Sequence, residues 1–390
     1  MSRTITDGGI LYHGGHCEGP VSIEATGELV DIIGPISRSS DLPWIVPGFV
    51  DLQVNGAVGV DLLREPERAE EVGRFLARHG TAAWVPTLIS APDELLMRAL
   101  EVLGRFCGRP PAADVAAPLG IHLEGPWLNP ERAGAHPVEH LRHPDPAAWM
   151  RYQAAAQGAI AILTLAPEME GSRELVELAA AGGTLVAAGH SLATYDLMKE
   201  AVGWGVRMVT HVNNANDWPQ RRLTPEGWLG TEPGLIGSFL ALPRLTGSLI
   251  ADGYHIHPAL LRPLVRVKGP GRLALVSDST FAGTPEGTHQ FGSSRYRVLP
   301  GVATTEDGSW LAGSTATMHR LVRVCCHDGR LPLAVVARMA AETPARLLRR
   351  YPFLGRLGPG SGASWVVLEP RSLAIRQVVL RGRRLPPAAG

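Results

Sequence analysis

Lysine is nearly missing from this 390-residue chain: Lys199 and Lys268 are the only two, so arginine supplies almost all of the positive charge. The 37 basic residues face 37 acidic ones, which leaves no net charge. Without a basic field, neither nucleic acid nor an anionic membrane surface is an expected partner. Cysteine is scarce as well. Cys17, Cys107, Cys325 and Cys326 form no C-x-x-C pair, and the adjacent Cys325 and Cys326 fall in a helical pattern. They read as buried thiols rather than as a disulfide or a metal site. No apolar run approaches the roughly 18–20 residues of a membrane span. The opening Met1-Ser2-Arg3-Thr4-Ile5-Thr6-Asp7-Gly8-Gly9 lacks the apolar core of a secretory signal, so a cytoplasmic setting is expected. What remains is a globular chain, 45% hydrophobic, able to bury a large core.

Residues 1–46 are short apolar or alternating runs broken by Gly and Pro, such as Val21-Ser22-Ile23-Glu24 and Leu29-Val30-Asp31-Ile32-Ile33. The same β texture returns near the end, in Trp365-Val366-Val367-Leu368-Glu369 and Gln377-Val378-Val379-Leu380-Arg381. This predicts one small β-sandwich domain assembled from both termini, 1–46 and 355–390. Between them, over 47–354, apolar runs alternate with helical stretches. Ala82–Ser90, Leu119–Glu124, Ala159–Leu165, Thr184–His190, Arg207–Val212, Leu245–Asp252 and Leu273–Asp278 are the runs. Strands separated by helices need crossover connections, hence a parallel sheet. At least seven such repeats predict an α/β fold of the (β/α)8 TIM-barrel type.

Glu124, His190, His211, Asp252 and Asp278 each lie at or near the end of one of these runs. In a parallel barrel, strand ends converge on a single face, so five polar residues ending five strands make a constellation. Two imidazoles and a carboxylate (Glu124, His190, His211) form a hydrolytic zinc set with a coordination position left open. Taken singly, each could be a satisfied buried polar group. Asp278 is the carboxylate best placed to take a proton beside such a metal and to return it to a leaving amine, and it could also cap the turn that follows.

Longer stretches are more specific. Pro47-Gly48-Phe49-Val50-Asp51-Leu52-Gln53-Val54-Asn55-Gly56, His122-Leu123-Glu124-Gly125-Pro126-Trp127-Leu128-Asn129 and Gly134-Ala135-His136 come first. Gly189-His190-Ser191, Thr210-His211-Val212-Asn213-Asn214-Ala215, Ala251-Asp252-Gly253-Tyr254-His255, Val276-Ser277-Asp278 and Leu311-Ala312-Gly313-Ser314 follow, with Leu357-Gly358-Pro359-Gly360 near the end. In this order they resemble the N-acetylglucosamine-6-phosphate deacetylases of the amidohydrolase superfamily, nearly end to end. The resemblance implies a single divalent metal held by Glu124, His190 and His211, which their mixed N/O ligation makes zinc, with Asp278 as general base and then acid. It implies that His136, beside Ala135, contacts the substrate near the scissile carbonyl. His255, Asn214 and Ala215 would hold the sugar or its phosphate, and Leu311, Ala312 and Gly313 would line the acetyl pocket. A small-molecule N-acetyl amino sugar as substrate and a homodimer are implied too. Gln53 and Asn55 stand where many amidohydrolases carry an H-x-H metal pair, and amides are poor ligands for such a cation. Asn55-Gly56 also reads as a plain turn.

One departure concerns the substrate. Where the family carries an Arg-Glu-Pro-Gly segment whose arginine reaches a substrate phosphate, this chain has Thr231-Glu232-Pro233-Gly234, after a longer loop, 216–230. Thr231 cannot supply a guanidinium fork. The loop carries Trp218, Arg221, Arg222 and Trp228, able to stack on a sugar and bind an anion, or to staple the loop to the barrel rim. Two readings stay open: Arg221 or Arg222 replaces the missing arginine, or the substrate is an unphosphorylated or glycosylated N-acetyl amino sugar. A cyclic amidohydrolase with two metals and a carboxylated lysine is a weaker reading, since neither lysine ends a run. A sugar-binding protein on a decayed barrel is a weaker reading too, because all three ligand candidates and Asp278 are present.

Overall fold

Eight short aliphatic strands build the central sheet of this computed structural model, which describes residues 3–12, 16–35, 42–216, 220–223, 229–291 and 294–386. They are β1 (Phe49–Val54), β2 (Thr81–Leu88), β3 (Ile121–Glu124), β4 (Ile160–Leu165), β5 (Leu185–Ala188), β6 (Val206–Val209), β7 (Thr246–Leu249) and β8 (Leu273–Leu275). Each pairs in parallel with the next. The ring closes through a parallel bridge between Val54 and Ser279 and through the Asp278 amide, which donates to the Gln53 carbonyl at 2.9 Å. This is the expected (β/α)8 barrel.

Alternation along the strands sorts the side chains. Leu123, Leu163, Val186 and Val209 face the surrounding helices, while Ala83, Val85, Ile162, Ala187, Met208 and Ala274 fill the interior. Toward the strands' C-terminal ends the interior turns polar. His122 Nε2 lies 2.7 Å from Thr164 Oγ1, and Thr164 in turn bonds Thr210 at 2.7 Å. Burial holds the His122 imidazole neutral, its pKa lowered to about 4. In β1 the pairing register shifts between Asp51 and Val54. Such an irregularity re-aims side chains: Leu52 joins the apolar interior, and its neighbour Gln53 reaches the polar end.

The helices follow local rules. Asp93–Cys107 begins with Asp93 and Glu94, which favour the positive end of the helix dipole, and buries Leu96, Ala99, Leu100 and Leu103 on one stripe. Thr194 and Thr317 cap Tyr195–Trp204 and Met318–His327 by accepting a hydrogen bond from the first turn. Cys107, Cys325 and Cys326 are free thiols, as expected, and burial pushes Cys107 and Cys326 up to about 12. The Cys17 side chain lies outside the described residues. No described helix is long and apolar enough to cross a membrane.

Segments from both ends of the chain share one seven-stranded sheet. Its order is Arg383–Leu385, Ile375–Leu380, Trp365–Leu368, Trp44–Pro47, Arg3–Tyr12, His16–Thr26 and Leu29–Pro35. A separate apolar cluster serves it, joining Val21, Ile23, Ala25 and Val30 to Trp365, Val367 and Val379. Only Gly48 separates Trp44–Pro47 from β1, so the small sheet runs directly into the barrel's first strand.

Candidate active site

Four of the five run-closing residues lie beyond the hydrogen-bonded ladder rather than in it. Glu124 ends β3, but His190 and His211 each sit two residues past their strands, and Asp252 and Asp278 each sit three past. His190 (φ 50°), His211 (φ 27°) and Asp278 (φ 48°) occupy the left-handed region, which costs a non-glycine residue free energy. The sequence expectation drew these strands too long; the ladder stops where the backbone turns to aim each side chain across the barrel mouth.

The aim converges. His211 Nε2 is 2.8 Å and His190 Nε2 3.3 Å from Glu124 Oε1, and the two Nε2 atoms are 3.2 Å apart. Each histidine donates its Nδ1 proton to a backbone carbonyl, His190 to Arg132 at 2.8 Å and His211 to Asn214 at 3.0 Å. That fixes the tautomer and points both Nε2 atoms at the carboxylate. The donor atoms of Glu124, His190 and His211 all lie within 4.8 Å of one another, and all three residues are buried. Tetrahedral bonds of about 2.0–2.1 Å place donors roughly 3.3 Å apart, so this set fits a small divalent ion. Burial alone would raise Glu124, but bonds from His136, His190 and His211 hold it well below the usual carboxylate range. Burial would likewise lower His211, and the Glu124 bond and charge overcome it, lifting it to about 9. A cation bound here would displace that proton. A buried Glu–His–His cluster able to hold a metal is therefore present.

Around it stand the other residues singled out by sequence. His136, a loop residue, is buried, with Nδ1 2.9 Å from the Ser90 hydroxyl and Nε2 3.7 Å from Glu124 Oε2. Asp278 Oδ1 accepts a hydrogen bond from Asn55 Nδ2 at 2.6 Å. Burial and the charge of Glu124 raise the Asp278 pKa, against lowering by His211, His255 and Asn55. His255 donates from Nδ1 to Asp252 Oδ2 at 2.8 Å. Asp252, whose other oxygen accepts from the Tyr254 and His255 amides, is thus a support behind His255 and does not line the cavity. Burial raises Asp252, and its bonds to His255 lower it further than that.

Ala135, His136, Asn214, Ala215, His255, Asp278, Leu311, Ala312 and Gly313 all line one cavity of about 510 Å³ together with Glu124, His190 and His211. Sequence reasoning missed several neighbours. Gln53 Nε2 donates to Glu124 Oε2 at 3.2 Å, and Asn55 is a partner of Asp278 rather than a plain turn residue. Ser90 supports His136; closing the run Ala82–Ser90 was its signal. Trp310 and Tyr296 also line the cavity and carried no pattern. In the long loop, Gln220–Leu223 pairs with Leu229–Glu232 as an antiparallel hairpin whose register sets Arg221 opposite Thr231. Trp218 and Trp228 lie outside the described residues.

A parallel barrel with a Glu–His–His cluster and a lone carboxylate over its C-terminal face defines a class of hydrolytic enzymes. The amidohydrolase family model matches residues 44–385. An N-acetylgalactosamine-6-phosphate deacetylase of Escherichia coli O157:H7 is 32% identical over 353 residues, 90% of this chain and 90% of that protein. An N-acetylglucosamine-6-phosphate deacetylase of Bos taurus is 34% identical over 351 residues, 87% of this chain and 82% of that protein. The structure of a Mycobacterium smegmatis N-acetyl-D-glucosamine-6-phosphate deacetylase variant in complex with N-acetyl-D-glucosamine-6-phosphate superposes with a TM-score of 0.87. It is 29% identical and covers 98% of this chain and 99% of that one. The chain belongs to the amidohydrolase family, and its relatives are amide-hydrolysing enzymes.

Proposed function

We propose that this enzyme hydrolyses the N-acetyl amide of an amino sugar, N-acetylglucosamine-6-phosphate or a related N-acetylglucosamine-containing intermediate, to the free amine and acetate. The observation that carries the reading is the Glu124, His190 and His211 cluster opening, with Asp278, into one cavity. The activities named for its relatives support it.

In this reading Glu124, His190 and His211 hold one zinc ion, which when bound supplies Lewis acidity toward the amide oxygen and makes a nearby water more acidic. Asp278, ionised and oriented by Asn55, takes a proton from the attacking water. It then returns that proton to the nitrogen as the C–N bond breaks, so acetate and a free amine leave. His136 adds a hydrogen-bond donor for charge building on the acyl oxygen. Asn214, Ala215 and His255 bind the sugar, and Ala135, Leu311, Ala312 and Gly313 shape the acyl end. The proposal includes a barrel over 47–354, a small β domain from 1–46 and 355–390, the cytoplasmic setting expected from composition, and the homodimer that the family resemblance implies. Lys268 is committed elsewhere, donating to the Phe239 and Leu242 carbonyls at 2.7 and 2.8 Å, which speaks against a carboxylated-lysine site there.

The test is metal analysis of purified protein together with acetate release from a panel of phosphorylated and unphosphorylated N-acetylhexosamines. We expect one metal per chain and acetate from at least one member. Protein that holds no metal and releases no acetate would be a binder rather than a deacetylase.

A further inference from the structure

Among the described residues that line the cavity, Trp310 stands out: the residue is 66% exposed. An aromatic side chain that both lines a cavity and stays open to solvent offers a flat apolar face on which a ligand can stack. Its backbone is held firmly. The Trp310 amide donates to Thr305 Oγ1 at 3.2 Å, and the Thr305 amide donates to the Trp310 carbonyl at 2.9 Å. Thr305 lies opposite Tyr296 in the strand pair Ser294–Leu299 and Val302–Thr305. Tyr296, half-buried, also lines the cavity and packs against the buried Phe281, ring centroids 5.6 Å apart. Phe281, Tyr296 and Trp310 therefore form a wall that grades from buried to exposed as it reaches the mouth.

That wall is tied to the reacting end. Three residues after Trp310, Gly313 packs on Thr280, and the Ser314 amide donates to the Asp278 carbonyl at 2.9 Å. Three residues span at most roughly 10 Å, so Trp310 stays within that reach of the segment beside Asp278. The cavity of about 510 Å³ lies within the range of roughly 300–1,000 Å³ that holds drug-sized molecules.

We propose that Trp310, backed by Tyr296, is the platform of a second subsite, on which a further pyranose ring linked to the N-acetylated one stacks. The natural substrate is then an N-acetyl amino sugar carried within a disaccharide or larger glycoside. This rests on the deacetylase reading and names its substrate class. An indole face matches the C–H face of a pyranose and makes no demand for a charge on the ligand. Nothing in this wall calls for a phosphate.

The experiment measures kcat/KM for acetate release from N-acetylglucosamine, N-acetylglucosamine-6-phosphate and N,N′-diacetylchitobiose, in the wild type, Trp310→Ala and Trp310→Phe. We expect the disaccharide to be the better substrate of the wild type. The ratio of disaccharide to monosaccharide kcat/KM should fall about tenfold in Trp310→Ala, the size of a lost aromatic stack, and largely return in Trp310→Phe. A ratio unchanged within about twofold in Trp310→Ala overturns the subsite while leaving the deacetylase reading standing. So does a wild type that prefers either monosaccharide. Acetate from none of the three overturns the deacetylase reading, and the subsite falls with it.

Discussion

Asp278 combines a carboxyl raised by burial and by Glu124 with an amide partner, Asn55, that fixes one of its oxygens. A raised pKa suits a group that must both accept and return a proton near neutrality. Asp278→Asn keeps the size and removes the base, so kcat should fall by about 10²–10⁴ while the metal stays bound. Turnover near wild type in that variant would end the assignment. Asp51 makes a second case at this scale. Burial lifts its carboxyl to about 7 from the ordinary 3.8, although the Ser277 and Gln53 amides bond one of its oxygens. Between those two pH values the native state keeps a proton that the unfolded chain has lost. The Asp51 contribution is therefore whole below about pH 4 and declines as pH rises toward about 7, by at most about 1.4 kcal/mol per unit. Asp51→Asn cannot titrate, so its stability relative to wild type should improve over that window. Denaturant midpoints at about pH 4 and about pH 7 check this, and parallel shifts in the two proteins would contradict it.

At the scale of elements, the active residues are set by turns rather than by strands. Gly313 shows how tightly. Its φ is +60°, and a Cβ there would fall 2.2 Å from Thr280 Oγ1 and 3.3 Å from the Asp278 carbonyl. Gly313→Ala should push the 311–314 segment away from Asp278 and lower kcat/KM by tenfold or more, on the order of what a 1 Å misplacement costs. Metal content should not change; wild-type kinetics would show the segment to be dispensable. The same turns mark the limit of legibility in the sequence. The barrel was readable because hydrophobic runs and helical stripes repeat, and the run ends led to Glu124, His190, His211 and Asp278. The left-handed turns that carry three of them gave no periodic signal, so the strands were drawn long. Gln53 was legible only as an absent ligand and Asn55 as that or a turn residue, because a side-chain amide bonded to a carboxylate 71 or 223 residues away has no local spacing. Trp310 was invisible for a related reason: a lone aromatic in a turn belongs to no period.

For the whole molecule, the cluster is a joint between distant parts of the chain. Glu124 ends β3, His190 and His211 follow β5 and β6, and Gln53 on β1 bonds Glu124 from two strands away. β1 is in turn continuous with the sheet that gathers both termini. An ion that binds these groups only when the barrel is assembled must stabilise the assembled barrel by mass action. At a hundredfold excess over its dissociation constant the gain is about 2.7 kcal/mol, which moves the melting temperature by several degrees, on the order of what such a free energy does in chains of this class. Chelation should therefore lower the Tm and abolish acetate release together, and restoring a divalent metal should bring both back. In His190→Ala the metal-dependent part of the Tm should vanish, because one of three donors is gone and no other described group completes the set. A His190→Ala protein whose Tm still responds to metal as the wild type does would place the stabilising ion at some other site. It would leave Glu124 and His211 as a hydrogen-bonded pair rather than as ligands.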